Sequence, residues 1–365
     1  MRSLALKCFL PLALIAGQVL AQDVAVPSPD KATIAKTPTQ VRGDELNDAE
    51  QTAVERGLAW LARSQGPDGS YGGEGMGKNA AITALAGLAF MEAGNLPGRG
   101  KYADNVSRAL SFILSSCQES GLIASDQSHG PMYGHGFATL FLGELYGMTG
   151  EEDVKDKLKK AVQLIEKYQN REGGWRYQPA PIDADISVTI CQIMALRAAR
   201  DAGIKVEKDV IDNAIKYVRS CQNPDGGFSY MAHQGGGGGS GFARSAAGVA
   251  SLYYAGVFEG DDLMRGLKYI NRFIPSSTAN VANPEMEGHY YYGNYYAVQA
   301  MFLAGGDWWA NWYPAIRNQL ISRQNAMTGS WSGDFSEDYA TSMALIILQM
   351  PNRYLPVYTG KGPGD

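Results

Sequence analysis

Two carboxylates stand two positions apart in Asp183-Ala184-Asp185-Ile186-Ser187, a histidine lies between glycines in Gly134-His135-Gly136, and Asp338 opens an apolar run near the end of the chain. Carboxyl and imidazole groups exchange protons at or below neutral pH, so Asp185, Asp183, His135 and Asp338 are candidate catalytic residues for proton transfer. Aromatic residues accompany them: Tyr133, Trp175, Tyr177 and Tyr292. Rings gathered around one hollow stabilise cations through their faces or stack on sugar rings, which makes these four candidate substrate-binding residues. Each group also has a structural reading. Asn79, Asp185 and Asp338 suit helix N-caps, each worth about 1 kcal/mol. A lone histidine suits a hydrogen-bonded wall, and Trp175 suits packing in a seam. His233 and the run Gly235–Gly239 read either as a lid beside the hollow or as a flexible insertion.

The elements that must position these residues repeat along the chain. The segments SQGPDGSY from Ser64, CQESGLI from Cys117, YQNREGGW from Tyr168, CQNPDGGF from Cys221 and RQNAMTGSW from Arg323 are variants of one phrase. Their glutamines, Gln65, Gln118, Gln169, Gln222 and Gln324, are separated by 53, 51, 53 and 102 residues. The last interval is a double period, so a degenerate sixth copy is expected near Arg272. Each copy begins with a one-sided amphipathic helix, as in Val54, Leu58 and Leu61 or Leu158, Val162 and Ile165. A glycine turn and, in most copies, an aromatic residue follow, and then a helix apolar nearly all round, as in AAITALAGLAFMEAG or YATSMALIILQM. Helices apolar on every side are buried on every side. Six outer and six inner helices predict an all-α, closed (α/α)6 toroid over residues 48–358; an open solenoid is the alternative. Aligning the hydroxyl-bearing residues Thr83, Thr139, Thr189, Ser245, Tyr296 and Ser342 places Asn79, His135, Asp185, Gly241, Tyr292 and Asp338 at the amino ends of the inner helices, around one mouth.

Glutamine followed by glycine and an aromatic residue at this interval, most specifically in QNREGGW and QNPDGGF, resembles the repeat of the prenyltransferase and squalene/oxidosqualene cyclase superfamily. The resemblance implies an α/α toroid whose inner helices ring a cavity for an apolar, often isoprenoid, substrate. It also marks departures. The proton-donating DxDD cluster of squalene-hopene cyclases is incomplete in Asp183-Ala184-Asp185-Ile186, the zinc setting of protein prenyltransferases is missing, and so is the Cys-Gly-Glu-Gln stretch of thioester domains. The expected function is binding of a small apolar or isoprenoid-like ligand in an aromatic and acidic cavity, with turnover of cyclase or transferase type as an open question. A carbohydrate-active lyase or hydrolase on the same ring, or a non-catalytic interaction scaffold, are the alternatives.

Composition narrows the setting. The 365 residues are 45% hydrophobic and 19% charged, enough apolar material for a large core. With a formal charge of −5 a nucleic-acid partner is not expected, because phosphate binding needs clustered positive charge. Glycine numbers 44, well above the usual one residue in about fourteen, which fits a fold with many turns. Arg2 and Lys7 precede the apolar run Cys8–Leu20, and Val19-Leu20-Ala21 supplies small residues for cleavage. Residues 1–21 therefore read as a signal peptide of an exported, periplasmic or secreted protein, with 22–47 a flexible leader and 359–365 a flexible tail. No later segment is apolar for long enough to span a bilayer. Cys117, Cys191 and Cys221 have no metal-type spacing and read as small buried residues; no metal or cofactor is expected.

Overall fold

The computed structural model of the protein describes residues 45–73, 77–125, 130–232, 238–275, 289–333 and 335–359. The signal segment, nearly all of the leader and tail, His233 and most of the glycine run lie outside the described residues. Among the described residues there are twelve α-helices. The outer set is α1 (Asp48–Ser64), α3 (Ala103–Ser115), α5 (Glu152–Lys167), α7 (Lys208–Ser220), α9 (Asp261–Asn271) and α11 (Gly306–Arg323). The inner set is α2 (Ala80–Glu92), α4 (Met132–Thr149), α6 (Ile186–Asp201), α8 (Phe242–Tyr254), α10 (Tyr290–Ala304) and α12 (Glu337–Gln349).

Local chemistry accounts for both types. In α5 the buried residues Val154, Leu158, Ala161, Val162 and Ile165 fall on one stripe, with Glu152 and Asp153 in the first turn and Lys167 in the last, where the helix dipole favours them. In α2 every residue except Ala81 is buried, so this helix has no wet face. The inner helices pack in the order α2–α4–α6–α8–α10–α12, and α12 packs back on α2 and α1. The ring is closed. Side chains seal the join: Arg56 Nη2 donates to the carbonyls of Asn325 and Ala326, and Gln349 Nε2 donates to Ala89 O. α9 and α10 form the degenerate hairpin expected near Arg272.

The repeated phrase is the device that joins one hairpin to the next. Gln65 Nε2 donates to Gly69 O in its own turn and to Asn105 O of the following outer helix, both at 3.0 Å. Gln169 does the same with Gly173 O and Val210 O, Gln222 with Gly226 O and Asp262 O, and Gln324 closes the ring through Gly329 O and Ala53 O. Glycine is needed in the turn for two reasons. Gly173 has φ +101°, and a Cβ there would sit 2.2 Å from Asn213 O on α7. Gln118 departs from the pattern because its side chain is exposed, although Gly121 keeps the close approach, to Lys160 O. Of the three cysteines, Cys191 and Cys221 are buried as expected, whereas Cys117 is partly exposed.

Past α12 the chain turns across the carboxyl-terminal ends of the inner helices. Leu355, Val357 and Tyr358 are buried there, the short helix Pro356–Thr359 packs on α4 and α6, and Val357 N–H donates to Glu144 Oε2 at 3.3 Å. One end of the ring is thereby plugged, and the amino-terminal ends of the inner helices surround a hollow at the other.

Candidate functional site

The hollow has a volume of about 640 Å³ and takes lining residues from the start of all six inner helices. Asn79, Ile82 and Leu85 come from the first, Tyr133 and Phe137 from the second, and Ser187 from the third; Phe242 and Arg244, then Tyr292, then Phe335 and Tyr339 follow from the rest. Tyr177 and Tyr230 close the wall from the glycine turns that precede α6 and α8. The convergence follows from the fold, since helices that ring a common axis bring the same end of each to one place. The size is that of ordinary small-molecule sites.

The polar side of the hollow is built at the amino end of α6. Asp185 is its N-cap and fully buried; Oδ1 accepts hydrogen bonds from the N–H groups of Ser187 and Val188, both at 2.9 Å, and from Ser187 Oγ at 2.6 Å. Ser187 Oγ in turn meets the Tyr133 hydroxyl at 2.5 Å, and the Tyr292 hydroxyl donates to Ser187 O at 3.0 Å. The hydroxyls of Tyr177 and Tyr230 are hydrogen-bonded to each other. Behind this layer Arg176 forms an ion pair with Asp183, and its Nε lies 3.7 Å from Asp185 Oδ2. Burial pushes the Asp185 carboxyl above the ordinary carboxylate range, against the hydrogen bonds from Ser187 and Val188 that favour the charged form. Asp185 is therefore a weakened acid.

The residues singled out in the sequence separate accordingly. Tyr133, Tyr177 and Tyr292 line the hollow, together with Asn79, whose side chain caps α2 by accepting from Ile82 N–H. Asp185 stands directly behind Ser187, and Asp183 is about half exposed on the outer side of Arg176. Three placements differ from expectation. Trp175 does not line the hollow: it is buried in the seam, with Nε1 donating to Ile165 O at 2.8 Å. Asp338 is separated from Asp185. Its Oδ2 accepts from Gly72 N–H at 3.0 Å, in a second cavity between the first and last hairpins that Trp60, Ser70 and Glu337 also line.

His135 is the third correction, and its cause is register. The backbone N–H groups of Tyr71, Trp175, Phe228 and Trp331 donate to the hydroxyls of Thr83, Thr189, Ser245 and Thr341. In the second hairpin Ile123 N–H donates to His135 Nδ1 at 3.1 Å, so the histidine occupies the hydroxyl position. His135 therefore lies one helical turn past the position equivalent to Asn79 and Asp185, which Pro131 occupies as the N-cap of α4, and not at the mouth as expected from Thr139. The last hairpin is likewise aligned by Thr341, not Ser342. The other ring nitrogen of His135 meets Ala161 O at 3.2 Å, and burial lowers its pKa to about 4. It is a neutral structural link, away from the hollow.

Tyr230, Phe242 and Arg244 are lining residues that motif reading passed over. The signal for Tyr230 is the repeat itself, since it follows Phe228 by two positions as Tyr177 follows Trp175. Nothing in the pattern marks Arg244. Among the described residues no cluster of His, Cys, Asp or Glu suits a metal ion, and no helix is long and apolar enough to cross a membrane.

The prenyltransferase alpha-alpha toroid domain family matches residues 41–272 and, in a second alignment, 135–337. No curated protein matches the sequence. Similar solved structures include the type II terpene cyclase MstE from Scytonema, at 12% identity and TM-score 0.60, covering 85% of this chain and 100% of that one. The GH76A α-1,6-mannanase from Salegentibacter is similar at 9% identity and TM-score 0.63, with 83% and 98% covered. Cellobiose 2-epimerase from Spirochaeta thermophila is similar at 14% and 0.61, with 83% and 97% covered. At such identities the likeness is one of fold.

Proposed function

The chain belongs to the prenyltransferase α/α toroid family, and from that premise we propose that it is an exported protein whose central hollow binds an apolar, isoprenoid-like ligand. The observation that carries the reading is the wall: Tyr133, Tyr177, Tyr230, Tyr292, Phe137 and Phe242 converge on one volume of about 640 Å³, with Ile82 and Leu85 between them. Apolar area removed from water there stabilises a bound chain by roughly 25 cal/mol per Å². The tyrosine hydroxyls on the α6 side are engaged with Ser187 and with each other, so the rings are held as a fixed apolar surface.

Binding is favoured over acid-catalysed cyclisation. Protonating an alkene requires a strong acid, and burial moves Asp185 in the opposite direction. A glycosidase in the hollow would require facing carboxylates, typically about 5 to 10 Å apart. The described lining has no carboxylate, and Glu337 and Asp338 lie in the other cavity.

The test is to purify the exported protein from its host, extract it and identify bound lipids by mass spectrometry, alongside Ala243→Trp. Ala243 is a partly exposed lining residue, so the indole should fill the hollow without displacing core. A polyprenyl or other apolar species that is present in the wild type and lost in the variant is the expected result. Reproducible absence of any apolar molecule from the wild type, together with no uptake of added geranylgeraniol, would overturn the proposal.

A further inference from the structure

We infer that the ligand carries a singly charged carboxylate head, held by Arg244 over the amino end of α8; this rests on the binding role proposed for the hollow. Arg244 is the one Lys or Arg among the described lining residues, in a wall that is mainly aromatic and apolar, with Asn79, Ser187 and His289 as its other polar side chains besides the tyrosines. Its Nε is buried and has no hydrogen-bond partner, and no described residue forms an ion pair with it. Arg176, by contrast, is paired with Asp183.

The position makes this cation costlier still. Arg244 is in the first turn of α8, where the helix dipole is positive and opposes a positive side chain. The N-cap, Gly241, offers no side-chain acceptor to the free N–H groups of that turn, whereas Asn79, Asp185 and Ser336 cap α2, α6 and α12. Nor does the backbone ask for glycine. Gly241 has φ −145° and ψ 154°, an extended conformation open to any residue. What the missing side chain provides is room: a Cβ on Gly241 would lie 2.9 Å from Arg244 Nε and 3.0 Å from Nη2. The guanidinium thus folds back over an uncapped helix end, and both present unused donors to the same volume, which Gly241, Phe242 and Ala243 also line.

An anion answers both needs, because helix amino ends and arginine forks each bind planar oxyanions. One cation suits one negative charge, and the fork matches a carboxylate in a two-bond geometry. A long-chain carboxylate places its head at Arg244 and its chain against Phe137, Leu85 and the tyrosines.

Calorimetric titration of the purified protein with dodecanoate, 1-dodecanol and dodecyl phosphate at pH 7.5 tests the assignment. Dodecanoate should bind about ten- to a hundred-fold more tightly than the alcohol, the range of a charge-assisted contact. Arg244→Gln should reduce that ratio to about one, with the larger loss on dodecanoate. The same variant should melt no lower than wild type without ligand, since the side chain it removes is unpaired. Equal wild-type affinity for acid and alcohol would overturn the carboxylate head and leave the apolar-binding role standing. Tighter binding of dodecyl phosphate than dodecanoate would overturn the single charge, and a ratio unchanged in Arg244→Gln would overturn Arg244 as its receptor. Failure of all three probes to bind would instead strike at the hollow's binding role itself.

Discussion

His135 and Asp185 show how little residue type says about role. Both titrate, and both lie near the starts of inner helices. Yet His135 is locked between Ile123 N–H and Ala161 O, while Asp185 holds the start of α6 beside the hollow. His135→Ala should leave Ile123 N–H unpaired in a buried void and cost about 2–4 kcal/mol, measured by urea denaturation, with dodecanol affinity unchanged. His135→Thr should recover part of that loss, because threonine occupies the equivalent position in three other hairpins. Asp185→Asn should alter stability by less than about 1 kcal/mol in the same assay, because asparagine also accepts from the helix N–H groups. If the protein has an acid-catalysed reaction that runs through Asp185, the same variant abolishes it.

The element that repeats is a joint as much as a hairpin. Each glutamine that makes the link spans its own glycine turn and the next outer helix, so it satisfies one carbonyl on each side of a seam. Gly173→Ala should therefore be destabilising twice over, through φ +101° and through collision with Asn213 O. A loss of about 2 kcal/mol or more is expected in chemical denaturation. Gly241→Ala has no such backbone penalty and provides the control. The amphipathic stripes of the outer helices and the all-round apolar inner helices were readable from periodicity, because burial on one face or on every face leaves a composition signature. The starting residue of α4 was not, since Pro131 and Met132 carry no strong capping signal and the hydroxyl used for alignment is replaced by an imidazole.

At the scale of the whole molecule the closed ring buries acids at its plugged end. Glu144 is fully enclosed, and burial raises its pKa to about 8; Glu92, also enclosed and facing Glu144, is raised well above the carboxylate range. The folded state keeps these protons while the unfolded chain releases them above its ordinary carboxylate pKa of about 4.3, so stability falls as pH rises from there to about 8. His135 works on the acid side. Its lowered pKa means that the unfolded chain binds a proton first, and stability falls as pH drops from about 6.5 to about 4. Glu144→Gln should flatten the alkaline limb by up to about 1.4 kcal/mol per pH unit, read from melting curves between pH 5 and 9. An alkaline limb as steep in the variant as in the wild type would exclude Glu144 as its source.

The sequence by itself determined the hairpin, its number and its order, because a phrase recurring every fifty-odd residues must build the same unit each time. Of the four aromatic residues it assigned to the hollow, Tyr133, Tyr177 and Tyr292 line it. Closure of the ring, the separation of Asp338 from Asp185, the burial of Trp175 and the exposure of Arg244 to the hollow were decided only in three dimensions. The physical reason is that these depend on contacts between hairpins. The first turn of α12 is divided between the two cavities, Tyr339 lining the hollow while Glu337 and Asp338 line the seam beside the first hairpin, and only the packing of neighbouring hairpins makes that division.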